Sequence, residues 1–315
     1  MGAIREVNLA KAGAGIDRAG RWLGQGRPVE ISSASFILIF LGLTLLFSNR
    51  IPSFQLLLVK YVGLLLLIGL ARRNAEGIEK PGWVLFRDFL PILLVFEVYD
   101  GLGYVLHQIN PHDVDLVLLR IDRLLFRTDP TLWLEQFATP FLNDLMHLAY
   151  FSFYFLPILL AVVFWAKGKR GAFNRFVLGA TNAFYLCYLG YILVPAAGPR
   201  STLASFYRIP LEGTAITDFI RGFVASAESL QWDCFPSGHA AVTLVVLWYA
   251  FREERTAGTF ILPIACLLLI STVYCRYHYV IDLIAGVPVA AISVLLADWL
   301  EYKSLQHRNR NQIRP

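Results

Sequence analysis

The chain is poor in charge. Asp, Glu, Lys and Arg make up 16% of its 315 residues, against 57% hydrophobic residues. Soluble domains carry about 25% charged and about 45–50% apolar residues. That deficit excludes the pair of soluble domains that the length alone would allow. No polar linker, low-complexity tract or internal repeat divides the sequence. The four cysteines (Cys187, Cys234, Cys266 and Cys275) lack CxxC spacing, which argues against a zinc site. Cys187 and Cys266 sit in apolar runs and are expected as small core residues. Cys234 and Cys275 flank the motifs described below, which leaves a disulfide between them as an alternative. No cleavable signal peptide is expected within residues 1–30, which are polar. The net charge of +5 does not indicate nucleic acid, because Lys and Arg lie between apolar runs rather than along one stripe.

What is abundant is apolar sequence of membrane-spanning length. A spanning helix needs about 20 mostly apolar residues. The candidates are Ile31–Phe47, Phe54–Ala71, Trp83–Leu106, Leu145–Trp165, Phe176–Pro195, His239–Phe251, Thr259–Tyr274 and Val280–Leu300. The sixth is short, and Glu97 and Asp100 interrupt the third. This predicts an all-α, polytopic membrane helix bundle. Residues 1–30 form a cytoplasmic segment, 31–80 two N-terminal transmembrane helices, 81–302 a six-helix membrane domain and 303–315 a cytoplasmic tail. Eight crossings place both termini on one side. With the termini inside, the inner segments hold 19 Lys and Arg residues and the outer segments 8. That bias puts the termini in the cytoplasm. It fits a bacterial inner membrane with the active site on the periplasmic face, and a luminal site in an internal eukaryotic membrane gives the same pattern.

Two outer loops carry structure of their own. Asp113–Phe126 alternates apolar and charged residues at helical spacing, as suits an amphipathic strut lying in the interface. Asp129-Pro130-Thr131 reads as an N-cap and first-turn proline opening a short helix through Phe137. Ser201–Trp232 mixes Gly, Ser and isolated apolar residues, a composition suited to a lid.

Three chemically loaded segments map to the outer ends of spans. They are Gly198-Pro199-Arg200, Phe235-Pro236-Ser237-Gly238-His239, and Arg276-Tyr277-His278-Tyr279 followed by Asp282. In the second, Ser237 offers a hydroxyl and Gly238 lets the chain approach a ligand. Free amides at the helix start favour an anion, above all phosphate. Arg200 and Arg276 can add forked, charge-assisted hydrogen bonds to phosphate oxygens. His278 and Asp282 are four apart and share a helix face. A carboxylate there accepts the Nδ1 proton and leaves Nε2 basic, which makes an oriented nucleophile. With His239 on the other side of a phosphate, one imidazole attacks phosphorus and the other protonates the departing oxygen. A zinc site from the two histidines and Asp282 is weaker, since a third or fourth ligand is not evident. His107, His112, His147 and His307 read as polar anchors.

With these motifs the sequence resembles the type 2 phosphatidic acid phosphatase superfamily, which includes vanadium haloperoxidases and lipid phosphotransferases. Pro236–His239 reproduces the family's Pro-Ser-Gly-His motif, and His278 with Asp282 matches the end of its third motif. The resemblance implies a six-helix phosphatase-type core preceded by two additional helices. It also implies metal-independent chemistry without a cofactor, through a phosphohistidine on His278, with His239 as acid/base and Asp282 orienting His278. Two positions depart from the pattern. Leu193 stands where the family has lysine and Thr272 where it has arginine, and Arg276 is a candidate replacement for the missing charge. The segment Ile121–Phe126, followed by Asp129-Pro130-Thr131, and the aromatic fourth span resemble the aureobasidin-resistance branch, which is inositol phosphorylceramide synthase-like. The expected substrate is a phospholipid or lipid phosphate, and the acceptor is a polyol or lipid hydroxyl. A simple lipid phosphate phosphatase, with water as acceptor, is the alternative within the class. A non-catalytic lipid carrier or scaffold is the alternative outside it, with Lys60, Glu97 and Asp100 lining a polar path. Otherwise Glu97 and Asp100 are expected to pair with Arg87 or Arg123.

Overall fold

A computed structural model describes residues 26–73, 80–227 and 230–313. Its helices, in chain order, are α1 (Pro28–Leu46), α2 (Phe54–Arg73), α3 (Pro81–Ile109), α4 (Asp115–Phe126), α5 (Pro130–Glu135), α6 (Pro140–Phe151), α7 (Leu156–Ala166), α8 (Arg170–Leu193), α9 (Pro199–Thr202), α10 (Ala215–Ala227), α11 (Gly238–Glu253), α12 (Arg255–Tyr274) and α13 (Val280–Ile313). Among the described residues there is no strand, and the architecture is an all-α polytopic bundle. Proline opens α1, α3, α5, α6 and α9 at or next to the first turn, where its missing N–H has no helical acceptor to lose.

Among the described residues, six helices (α1, α2, α3, α8, α12 and α13) are long and apolar enough to cross a membrane. The predicted fourth span is two helices, α6 and α7, bent by 47° across the turn at Ser152–Tyr154. The predicted sixth span, α11, has 16 residues. At 1.5 Å per residue it is about 24 Å long, short of a hydrocarbon core of about 30 Å. It is tolerated because α8, α12 and α13 surround most of it and bury Val242, Val245, Val246 and Tyr249. The tail expected from residue 303 continues α13 as helix to Ile313.

Polar contacts staple the bundle where hydrophobic driving force between helices is absent. Ser32 donates to Asn182 Oδ1 at 2.5 Å, and Phe36 stacks on Tyr185 at 5.0 Å, so α1 shares its core with α8. Lys60 of α2 pairs with Glu97 at 2.9 Å and Asp100 at 2.6 Å of α3. Glu97 and Asp100 are therefore partnered by Lys60, not by Arg87 or Arg123. A lysine held by two carboxylates between two helices is a local ion-pair cluster, not a polar path, which weakens the carrier alternative. Segments read as inner meet at one end of the bundle. There Arg27, Arg72 and Arg87 surround Glu30, while Arg27 and Arg170 hold Asp88. Cys266, expected in the core, is exposed on α12.

Candidate active site

The three predicted segments meet at the opposite end. The ends of α3 and α8 come together there, with Asn110 Nδ2 donating to the carbonyls of Ile192 and Leu193 at 3.2 and 3.1 Å. The following loop turns at Gly198, whose φ of 85° favours glycine. A Cβ at that position would meet the Tyr277 carbonyl at 2.6 Å. The Gly198 loop thus packs directly on the segment bearing His278.

Helix α4 secures both segments. Asp115 accepts from the amides of Ala197 and Gly198 at 2.8 Å each, and from the Tyr279 hydroxyl at 3.0 Å. Asp122 accepts from the amides of Val280 and Ile281, again at 2.8 Å each. These are first-turn amides of α13, so another helix supplies the cap. Burial pushes the Asp122 carboxyl up, and the two amide bonds pull it back down. The predicted strut is therefore a positioning element, and neither aspartate was assigned a role from sequence. Asp129 does stand at the N-cap of α5, but its carboxylate pairs with Arg123 at 2.7 Å instead of capping the helix.

Ser237 and Gly238 begin α11. Ser237 is fully buried, and its Oγ accepts from the Ala240 amide at 3.2 Å. Its own amide donates to the Asp282 carbonyl at 3.0 Å, tying the start of α11 to α13. The hydroxyl expected to face phosphate is thus the helix cap. Gly286 permits this approach, since a Cβ there would lie 3.0 Å from the Ser237 carbonyl. Gly238 and His239 line the central cavity.

His239, His278 and Asp282 form one chain of contacts. His239 Nδ1 lies 3.2 Å from His278 Nε2, and His278 Nδ1 lies 3.3 Å from Asp282 Oδ2. The same Oδ2 accepts from the Tyr279 amide at 2.7 Å and from Cys234 Sγ at 2.8 Å. A carboxylate on Nδ1 assigns the proton to that nitrogen and leaves Nε2 as the basic lone pair. Tyr150 and Phe153 pack on the His239 ring at centroid distances of 4.6 and 4.2 Å. The imidazoles touch, so a phosphate cannot stand between them as the sequence suggests. An in-line attack needs His239 to rotate outward and open that gap.

Cys234, His278 and Asp282 place potential ligand atoms within 4.8 Å of one another. Each of these atoms is committed to a neighbour in the hydrogen-bonded chain above. The geometry is that of a carboxylate organising its donors. Cys234 and Cys275 are both free thiols, and Cys275 packs in a separate cluster with Met146, Leu211 and Tyr274.

Arg200, on α9, lines the cavity with His278 and lies 5.5 Å over the Tyr277 ring. Arg276 is not brought to the histidines. Its φ of 67° turns the side chain toward the Ile209 carbonyl at 2.6 Å, Glu135 at 3.2 Å and the Tyr207 ring at 3.8 Å. The expected replacement for the missing arginine is thus spent on loop packing. Arg276→Ala is expected to keep turnover within about threefold of wild type while lowering thermal stability by about 1–3 kcal/mol, from the loss of a buried charged pair. Side-by-side activity and melting measurements check this. A hundredfold loss of turnover in a fully folded variant would return Arg276 to the site.

A second carboxyl, Asp233, also lines the cavity and was missed from sequence. The Tyr99 hydroxyl donates to it at 2.6 Å, and burial pushes its carboxyl up. Part of the expected lid is present as α10, whose Ile220 and Val224 are buried beside Tyr150. The α10 start is anchored by Thr217 Oγ1, which donates to Asp144 at 2.7 Å.

Residues 116–296 match the model of the PAP2 superfamily, and the chain belongs to that superfamily. It is also similar to a PA-phosphatase related-family protein of Dictyostelium discoideum, with 24% identity over 182 residues. That similarity covers 51% of this chain and 33% of the relative, so only about a third of the relative's length is matched. No solved structure matches.

Proposed function

We propose that the protein is an integral-membrane lipid phosphotransferase or phosphatase working through a phosphohistidine on His278, inositol phosphorylceramide synthase-like in pattern. The observation that carries this is the chain from Asp282 through His278 to His239, with Nε2 of His278 facing the cavity partner. In the first step His278 Nε2 attacks phosphorus and the bond to the leaving oxygen breaks. His239 donates its proton to that oxygen. In the second step the neutral His239 removes a proton from the acceptor hydroxyl, whose oxygen takes the phosphoryl group as the bond to Nε2 breaks. The amides of Gly238 and His239, with Arg200, supply positive potential for the phosphate oxygens. Asp282 holds the His278 tautomer, and Asp115 and Asp122 hold the two loops in register. The charge bias supports placing this chemistry on the outer face of the membrane with both termini inside.

The acceptor separates transferase from phosphatase. Purified protein incubated with head-group-labelled phospholipid, with and without polyol or ceramide-type acceptors, is expected to form a new phosphodiester only when acceptor is present. Release of the labelled head group as its phosphate monoester alone, with water as acceptor whatever else is added, would reduce the proposal to its phosphatase form.

A further inference from the structure

The cavity holding His239 and His278 does not end beneath them. It continues down the bundle to Asp88 and encloses about 560 Å³. From Tyr99 to Asp88, both in its lining, α3 runs 11 residues. That is about 16 Å of helix, close to the depth of one leaflet of a bilayer with a hydrocarbon core of about 30 Å. Between its ends the walls are mostly apolar, with Val95, Ala161, Val177 and Ala180 among them. The floor is charged: Asp88 accepts from Trp165 Nε1 at 2.9 Å and pairs with Arg27 at 2.5 Å and with Arg170.

Local sequence explains the space. Pro91 interrupts the α3 hydrogen-bond ladder, and Pro157 lies just past the 47° bend between α6 and α7. Both prolines line the cavity. So do Phe96 of α3 and Ile158 of α7, which keep 55% and 39% of their surface exposed. These two exposed side chains, one from each helix, mark the seam taken below as the route from the membrane. Helix α3 lies N-terminal to the matched segment 116–296 and supplies one wall of the cavity.

We infer that this cavity is a tail tunnel. The substrate is a lipid phosphate with one acyl chain drawn in through the Phe96–Ile158 seam and laid along α3. Its phosphate then sits at the histidines and its methyl end stops at the Asp88 cluster. This rests on the reading of His278 and His239 as the phosphate site. A bilayer is as apolar as the tunnel, so entry contributes little affinity; its effect is on register and length. A tail longer than the tunnel would press its terminal methyl into a charged cluster, which is costly. The tunnel therefore measures chain length as well as aligning phosphorus with Nε2.

Ala161→Phe and Ala180→Phe fill the middle of the tunnel without touching the histidines. Turnover of a lipid-phosphate series from short to long acyl chains, in detergent, reads the effect. Short-chain substrates are expected to stay within about threefold of wild type, while long-chain kcat/KM falls at least about tenfold. Equal losses on short and long chains in a folded variant, or no loss on either, would overturn the tunnel. A second measurement needs no turnover: a lipid phosphate with a photoreactive group at the tail end, crosslinked to wild type and to His278→Ala. Labelling of tunnel residues such as Phe176 and Val177 is expected in both. Labelling confined to bilayer-facing residues such as Leu93 and Leu159 would contradict it. If His278→Ala still turned over while the tunnel was labelled, the phosphohistidine reading alone would fail.

Discussion

Replacing His278 with alanine is expected to lower turnover on the order of 10⁴-fold or more while leaving the fold intact. His278 is the group whose Nε2 is basic, oriented and directed at the cavity. Its Nδ1 is committed to Asp282 at 3.3 Å. Removing an activated nucleophile from a unit of this kind typically leaves only the residual effect of binding and electrostatics. His239→Ala is a weaker lesion of the same unit, because water can stand in for an acid/base group. The check is steady-state turnover on a lipid phosphate, with melting temperature measured on the same preparation. Turnover within tenfold of wild type in a folded His278→Ala protein would remove His278 from the chemistry.

The next largest effect is expected at Asp115. This residue touches no substrate, yet its carboxylate holds Ala197, Gly198 and Tyr279 together with three hydrogen bonds of 2.8, 2.8 and 3.0 Å. Asp115→Asn keeps the shape but replaces one acceptor oxygen with an NH₂ that faces a donor. A buried donor left without an acceptor costs about 1–3 kcal/mol, and a stability loss of that size is expected. The loop carrying Arg200 would also shift against His278, and misplacement by about 1 Å can cost about 100-fold in rate. Because Asp115 acts through the loop, Asp115→Asn is expected to slow short-chain and long-chain substrates alike, unlike a tunnel-filling variant. Wild-type stability and rate in Asp115→Asn would show that α4 is the passive strut its amphipathic pattern suggests.

The fold was largely legible because length and hydropathy dominate a membrane chain. Apolar runs marked α1, α2, α3, α8, α12 and α13, and Pro130 marked the start of α5. The bend within Leu145–Trp165 was not legible, since its two halves form one continuous apolar run and only Pro157 hints at a break. Of the site, the Pro-Ser-Gly-His turn and the four-residue spacing of His278 and Asp282 fix local geometry within one turn of helix. They fix His278 beside Asp282 and His239 in the first turn of α11; the contact between the two histidines is tertiary, made where α11 packs on α13. Arg276 was misplaced because its left-handed backbone is invisible in sequence, and Ser237 because a cap and a ligand donor use the same hydroxyl. Asp115 and Asp122 were hidden for a different reason. On an amphipathic helix, a carboxylate that faces solvent and one that reaches across to a distant loop have the same pattern. The tunnel depends on α3 and α7 both packing on α8, with α3 far from the other two in the chain, and no local motif announces it.

The central claim is a covalent phosphate on His278. Rapid acid-free quenching of the enzyme during turnover of a lipid whose phosphate is radiolabelled tests it most directly, followed by alkaline proteolysis and peptide mapping. A label stable to base and labile to acid, on the peptide carrying His278 and missing from His278→Ala, is the predicted result. Product formed at wild-type rate with no label on that peptide at any time, or an equal label in His278→Ala, would contradict the account.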